Sequence, residues 1–260
     1  MIGVFDSGVG GLTVLRAIVD RLPNESSVYL GDTARVPYGN KSAEVVTRYA
    51  LRVADQLLRF NIKVLVVACN TASAVALPAL RASLNIPVLG VIKPGAQAAM
   101  QATKTGRVGV LATRGTVQSK AYEQALHTLD PQLHVHAQAC PLFVPLAEEG
   151  ICDGPIVDQV ADLYLKNIKN HIDTAVLGCT HYPLLADSIG KNLGPKVRII
   201  DGSKATAQAL EQILDDHNLR NQGKAPVQRR FIFTDSASNT ADLVQRFFGR
   251  EVDQIELIDL

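Results

Sequence analysis

Short apolar runs alternate with longer segments of helical periodicity along almost the whole chain. The apolar runs predict β-strands, the last two being the weakest, at 2–5, 28–31, 62–68, 86–91, 107–111, 133–139, 174–178, 197–200, 230–234 and 255–258. The segments between them predict helices near 11–21, 42–60, 71–84, 94–103, 116–128, 155–169, 182–193, 204–216 and 239–248. In the helix at 155–169, Ile156, Val160 and Leu163 have the spacing of an apolar face. This alternation predicts an α/β fold of mostly parallel sheets flanked by helices.

A weak internal repeat relates two parts of the chain. Three pairs of segments recur in the same order and at nearly constant spacing, namely 2–7 with 108–113, 36–39 with 144–147 and 64–71 with 174–181. The repeat predicts two pseudo-symmetric lobes with a cleft between them. Residues 1–92 together with 204–260 would form the first lobe, and residues 93–203 the second. The segment 222–226 has the composition of a surface loop.

Two cysteines end equivalent apolar runs of this repeat. Cys69 follows 64–68 and Cys179 follows 174–178, and polar side chains come next, at Asn70, Thr71, Thr180 and His181. Ligands bind at the carboxyl ends of strands in open α/β sheets, so facing lobes would put both cysteines across one cleft. The helix start after each cysteine predicts a lowered thiol pKa. The alternative for any single cysteine is a small buried hydrophobic residue.

A glycine-rich turn follows the first predicted strand. It lacks the third glycine of a dinucleotide-binding motif, because Thr13 stands at that position. A nucleophile elbow around Ser7 would need glycines where Phe5 and Val9 stand. Two interpretations remain: backbone N–H groups that hold a carboxylate or phosphate, or a plain tight turn capped by Asp6.

His181 and Glu148 are the remaining candidates for proton transfer. His181 lies two residues after Cys179, although a lone histidine is commonly a polar residue without a catalytic role. Glu148 lies on a predicted loop that is the repeat partner of 36–39, which places it at the rim of the cleft. The alternative for Glu148 is a solvated charge, as for its neighbour Glu149.

Composition narrows the function classes. A formal net charge of +1 gives no electrostatic basis for a nucleic-acid or membrane partner, and 47% hydrophobic residues suit a soluble globular protein. The four cysteines lack Cys-x-x-Cys spacing and no secretory signal is recognisable, so we expect free thiols, a cytoplasmic location and no metal. Cys140 and Cys152 are predicted to be structural, and His134 and His136 to lie on a polar strand face.

Four motifs resemble those of the glutamate racemases, within the cofactor-independent aspartate/glutamate racemase family. In chain order they are Asp6-Ser7-Gly8-x-Gly10-Gly11, Pro37-Tyr38-Gly39, Cys69-Asn70-Thr71-Ala72-Ser73 and Gly178-Cys179-Thr180-His181-Tyr182-Pro183. Aspartate racemases are less similar, since they tend to carry His where Ser73 stands and Glu where His181 stands. Lys93 departs from the Glu that many family members carry there.

The resemblance implies interconversion of L- and D-glutamate by two bases, without cofactor or metal, in the supply of D-glutamate for peptidoglycan synthesis and cell-wall biogenesis. It implies that Cys69 takes the α-proton of D-glutamate with help from Asp6. Cys179 would take that of L-glutamate with help from His181 and Glu148. Substrate contacts are implied for Asp6, Ser7, Tyr38, Gly39, Asn70, Thr71, Thr180 and His181.

Two other functions stay open at this point. One is a racemase of another acidic amino acid such as aspartate, and the other is a two-lobe protein that binds a carboxylate without chemistry. The sequence also leaves open whether two copies associate as a homodimer.

Overall fold

Parallel strands build two separate sheets in a computed structural model that describes residues 1–221, 223, 226–236, 239–252 and 254–260. The strands are β1 (Ile2–Asp6), β2 (Ser27–Gly31), β3 (Val64–Val67), β4 (Val88–Gly90), β5 (Arg107–Ala112), β6 (His134–Ala139), β7 (Thr174–Gly178), β8 (Arg198–Asp201), β9 (Arg229–Phe233) and β10 (Ile255–Leu257). All ten predicted strands are therefore confirmed. Most of the predicted loop 222–226 lies outside the described residues.

Four strands of each sheet follow the same order. The first sheet runs β10-β9-β2-β1-β3-β4 and the second β6-β5-β7-β8, so β2-β1-β3-β4 corresponds to β6-β5-β7-β8, while β9 and β10 extend the first sheet only. Every pairing is parallel, as in β1 with β3 and β5 with β7. The strands of the first sheet lie within 1–92 and 204–260, and those of the second within 93–203. A division into two domains at those residues stays a prediction.

Helices connect the strands on both faces. They are α1 (Leu12–Arg21), α2 (Ala43–Leu58), α3 (Asn70–Val75), α4 (Leu77–Ser83), α5 (Ile92–Ala102), α6 (Arg114–Gln118), α7 (Ala121–Leu129), α8 (Phe143–Glu149), α9 (Pro155–Leu165), α10 (Ala186–Leu193), α11 (Gly202–Asp216) and α12 (Thr240–Phe248). The predicted helix at 71–84 is two helices because Pro78 begins a new one. That at 116–128 is also two, separated by Lys120 at a φ of +56°.

Two expectations about the helices were wrong. Glu148 was expected on a loop but lies in α8, a helix of seven residues that the sequence did not reveal. The apolar face expected for α9 is not the buried one, because Ile156 and Leu163 are 57% and 56% exposed. The neighbouring stripe of Val157, Ala161 and Leu165 packs inward instead. Because α9 has two apolar stripes one residue apart, its sequence does not show which of them is buried.

Elements from both halves contribute to one continuous apolar core. It joins side chains of the first sheet and α1 to those of β7, α8, α9 and α12. The helices α11 and α12 follow the second sheet in the chain but pack on α1, so the C-terminal part returns to the first sheet. Within the described residues, no helix has the length and apolarity that a membrane span requires.

Candidate active site

The carboxyl ends of β1, β3 and β7 bring the two repeat cysteines together. Cys69 caps α3, where its Sγ accepts a hydrogen bond from the Ala72 N–H at 3.5 Å. Its thiol donates to Ser7 Oγ at 3.6 Å, in the turn after β1. Cys179 directly follows β7, and its Sγ lies 3.9 Å from His181 Nδ1. Both cysteines are buried, with only 6% and 7% of their surfaces exposed.

Hydrogen bonds between the halves close this site. The Thr13 hydroxyl at the start of α1 donates to the Gly10 carbonyl at 2.9 Å and also lies 3.1 Å from the Thr180 carbonyl, and the Thr71 hydroxyl lies 3.0 Å from that of Thr113. Tyr122 of α7 donates to Asn70 Oδ1 at 2.8 Å. Because the Tyr122 hydroxyl occupies Oδ1 of Asn70, the N–H groups of the same amide point away from Tyr122. Tyr122 belongs to none of the sequence motifs, so its contact with Asn70 appears only in the structure.

The pKa of the Cys69 thiol is raised to about 12. Burial is the main cause, and the negative charge of Asp6 adds to it, while the Ala72 N–H and Ser7 act in the opposite direction. The prediction of a lowered pKa was therefore wrong for Cys69, since six residues of α3 offset little of the burial. The Cys69 thiol is therefore protonated at pH 7 before a ligand binds. Negative charge on Cys179 would raise the pKa of Cys69 further.

Asp6 is a fully buried carboxylate with one oxygen to spare. Its Oδ2 accepts the Gly8 N–H at 2.9 Å, whereas no donor among the described residues reaches Oδ1. Burial raises the pKa of Asp6, and the positive charge of His181 and the N–H groups of the turn partly offset that rise. An unpaired buried oxygen costs free energy, so this position suits a proton or a cationic ligand group.

His181 joins Cys179 to Glu148 in a hydrogen-bonded series. Its Nε2 lies 2.9 Å from Glu148 Oε1, and its Nδ1 faces Cys179. Burial alone would lower the pKa of His181, but the hydrogen bonds with Cys179 and Glu148 outweigh it and raise the pKa to about 10. A charged imidazole beside a thiol stabilises the thiolate, which is the chemistry expected of a helper.

The turn after β2 supplies Tyr38 and Gly39. The Tyr38 hydroxyl donates to Asp32 Oδ2 at 2.6 Å, and Asp32 is fully buried and also accepts from Arg35 and Thr234. The single proton of that hydroxyl is therefore already donated within the protein. Sequence reasoning missed Asp32, whose only signal is its position directly after a predicted strand.

Every side chain predicted for the site lies at this edge of the two sheets. The group consists of Asp6, Ser7, Tyr38, Gly39, Cys69, Asn70, Thr71, Glu148, Cys179, Thr180 and His181. The catalytic and binding roles of these residues stay predictions. Cys140 and Cys152 are free cysteines with no contact to this group among the described hydrogen bonds. Across the described ranges no cluster of His, Cys, Asp or Glu is arranged to hold a metal ion.

Gly10 marks the closest approach of the turn after β1 to the turn after β7. A Cβ at this position would overlap Thr180 Oγ1 and His181 Nδ1. We expect Gly10→Ala to force these turns apart and to lower kcat/KM about 100-fold, as a displacement of about 1 Å in a catalytic group does. Steady-state kinetics of the reaction that the motifs imply, together with circular dichroism for the fold, measure this.

Gly190→Ala is the matched control for Gly10→Ala. Gly190 lies in α10, where a Cβ would be 3.6 Å from the nearest atom and alanine favours the helix. Its kcat/KM should equal that of the unmodified protein. Equal activity of the two variants would show that the close approach at Gly10 does not matter.

Comparison with known proteins identifies the family. Residues 2–210 match the family model described as Asp/Glu/hydantoin racemase. The chain is 47% identical over 260 residues to the glutamate racemase of Geobacter metallireducens, covering 100% of this chain and 96% of that protein. It superposes on the glutamate racemase isoform RacE1 from Bacillus anthracis with a TM-score of 0.95 and 44% identity, covering 100% and 97% of the two chains.

A third similar protein was solved with a ligand. The glutamate racemase of Francisella tularensis in complex with D-glutamate has a TM-score of 0.93 and 36% identity to this chain, with 99% and 97% covered. The membership expected from the motifs is thereby confirmed. The chain belongs to the Asp/Glu/hydantoin racemase family and is an amino-acid racemase, an isomerase.

Proposed function

We propose that this chain interconverts L- and D-glutamate by a two-base proton transfer between Cys69 and Cys179. The observation that carries the proposal is the pair of buried cysteines at equivalent strand ends of two facing sheets, each with its own polar neighbours. Inversion of a stereocentre through a planar carbanion needs a base on one face and an acid on the other, and two thiols serve both directions. Glutamate is the substrate named for the most similar relatives.

The two sides of the site use different helpers. From L-glutamate, Cys179 as thiolate removes the α-proton, and the charged His181 held by Glu148 stabilises that thiolate beforehand. Cys69 as thiol then delivers its own proton to the opposite face, which gives D-glutamate. The reverse reaction begins with the Cys69 thiolate. Asp6, whose own pKa is raised by burial, would accept the proton of the Cys69 thiol.

Binding itself would lower the cost of forming a thiolate at Cys69. The ammonium group of the substrate brings a positive charge to a site with a spare Asp6 oxygen, and this charge stabilises nearby anions. The α-carboxylate would be held by the freely directed Asn70 amide, by hydroxyl groups and by backbone N–H groups at the start of α3. These donors also stabilise charge that develops on the carboxylate during proton removal.

The proposal extends to a place in the cell. A protein that releases D-glutamate supplies a building block of peptidoglycan, so we place it in cell-wall biogenesis and in the cytoplasm. Two opposed thiols and fixed donors account for the chemistry, so the proposal includes neither an organic cofactor nor a metal.

A racemisation assay in heavy water tests the substrate and the reaction together. The protein, treated with a chelator and given no cofactor, should convert L-glutamate to the racemate, with deuterium appearing at the α-carbon. L-aspartate at equal concentration should react at least about 100-fold more slowly, in line with the discrimination that a misplaced carboxylate permits. Faster reaction with aspartate would overturn the substrate assignment. Absence of both inversion and deuterium uptake would leave a protein that only binds a carboxylate.

A further inference from the structure

In the chain, helix α12 connects β9 to β10 of the first sheet. It nevertheless contacts the Glu148–His181 pair, which belongs to the second half. Two consecutive residues make these contacts, one to the backbone that carries the carboxylate and one to the imidazole ring. They are Arg246 and Phe247. Neither belongs to the motifs that carry the family resemblance.

Arg246 holds the C-terminal end of α8. Its Nη1 donates to the Glu148 carbonyl and lies 3.5 Å from the Ala147 carbonyl. The last carbonyls of a helix have no partner within it and form the negative end of its dipole, so a guanidinium there is favourable. Gly150 ends α8 at a φ of +77°, and a Cβ on it would be 2.8 Å from the Arg246 guanidinium. The C-terminal end of α8 therefore packs closely against the Arg246 guanidinium.

Phe247 fixes the other member of the pair. Its fully buried ring meets the His181 imidazole edge to face, with centroids 5.0 Å apart and an interplanar angle of 71°. The helix behind it is itself anchored, since Phe248 packs on Phe231 of β9 at 5.2 Å. The His181 imidazole is therefore packed against Phe247 on one side and hydrogen-bonded to Glu148 on another.

The carboxylate alone would hold His181 weakly. The Glu148 side chain is 34% exposed, so water competes for its oxygens, and an ion pair that solvent reaches contributes little to holding a geometry. When Arg246 holds the backbone of Glu148, the Glu148 side chain is less free to turn from His181 into solvent. A fixed Oε1 in turn keeps Nε2 occupied and Nδ1 directed at Cys179.

We infer that Arg246 is a positioning residue for the Cys179 side of the reaction. By holding the last turn of α8, it keeps Glu148 on His181 and so keeps the imidazole beside Cys179. This inference rests on the proposed two-base function, because it assigns Arg246 to one of the two proton transfers only.

Isotope effects can tell one proton transfer from the other. The equilibrium constant of a racemisation is one, so kcat/KM is equal in both directions, and a variant lowers both values alike. When the Cys179 step becomes slower, the deuterium isotope effect on kcat/KM increases for α-deuterated L-glutamate. It decreases for α-deuterated D-glutamate, because the labelled step at Cys69 is then no longer limiting.

Three variants test the role of Arg246. Arg246→Met keeps much of the apolar stem but removes the donors, and we expect about a 10-fold loss of kcat/KM with isotope effects polarised as described. Arg246→Lys keeps a charge and should recover most of the rate and the unpolarised pattern. Arg250→Met is the matched control, since Arg250 follows the same helix but pairs with Asp20 away from α8, and its activity should be unchanged.

Each result bears on the inference. Unchanged kinetics in Arg246→Met would overturn it, and a rate loss with unpolarised isotope effects would show a merely structural role. Thermal unfolding of each variant identifies a loss caused by misfolding, for which Arg246→Lys provides the folded comparison. The proposed function fails separately, if the unmodified protein does not racemise glutamate.

Discussion

Alanine at either Cys69 or Cys179 is expected to abolish racemisation of glutamate. Each variant keeps one base but loses the acid that must protonate the opposite face, so the carbanion can return only to the enantiomer from which it formed. We expect kcat/KM to fall about 10⁴-fold or more, the upper range for loss of a general acid or base. The measurement is circular dichroism of L- and D-glutamate solutions over time.

The remaining cysteines provide matched controls for that loss. Cys140 is buried at the end of β6 and Cys152 is half-buried, and neither contacts the group of site residues among the described hydrogen bonds. Cys152→Ala and Cys140→Ala should retain the activity of the unmodified protein. Near-normal turnover of Cys69→Ala or of Cys179→Ala would remove that cysteine from the mechanism and would leave a single-base reaction.

The positions of the site residues were accessible from the sequence for a physical reason. A short apolar run identifies a buried strand, and parallel strands of one sheet place their carboxyl ends at one edge, so Asp6 and Cys69 were expected near one another once their strands were recognised. The internal repeat related Cys179 of the second sheet to Cys69 of the first, and the order β6-β5-β7-β8 corresponds to β2-β1-β3-β4. Local sequence pattern and strand topology are thus sufficient to predict the strands and turns that carry the site residues.

What the sequence did not reveal depends on contacts between distant segments. Tyr122 orients Asn70, Asp32 holds Tyr38, and Arg246 caps α8, and each of these contacts joins residues more than five positions apart. No local pattern distinguishes these residues from their neighbours. Helix α8 was missed because its seven residues are too few for a periodicity and include Pro145.

The pKa of Cys69 is another property that the sequence did not predict correctly. The position before α3 predicts a lowered value, but the completeness of burial and the nearby Asp6 decide the outcome, and neither can be read from spacing. In the proposed reaction from L-glutamate, a protonated Cys69 is the state that can donate a proton to the carbanion. The reaction from D-glutamate needs the thiolate instead.

His181→Asn is expected to lower kcat/KM about 10³-fold, more than Arg246→Met, because it removes the group that contacts Cys179 itself. Asparagine keeps a polar amide near the place of Nδ1 but is too short to replace the contact of Nε2 with Glu148. The isotope effect should increase with α-deuterated L-glutamate and decrease with α-deuterated D-glutamate. Equal changes in both would indicate that His181 binds substrate and does not assist Cys179.

The pH profile gives an independent test of the charge on His181. The pKa of His181 is raised to about 10, so the imidazole is charged below that pH and loses its charge as the pH rises through it. Its stabilisation of the Cys179 thiolate should therefore be present at neutral pH and disappear on the alkaline side. The α-ammonium group of free glutamate also loses its proton in this range and lowers kcat/KM of both proteins alike, so the informative quantity is their ratio. We expect kcat/KM of the unmodified protein, divided by that of His181→Asn, to decrease near pH 10. Glu148→Gln should move the decrease to lower pH, since removal of the carboxylate charge leaves burial to lower the pKa of His181.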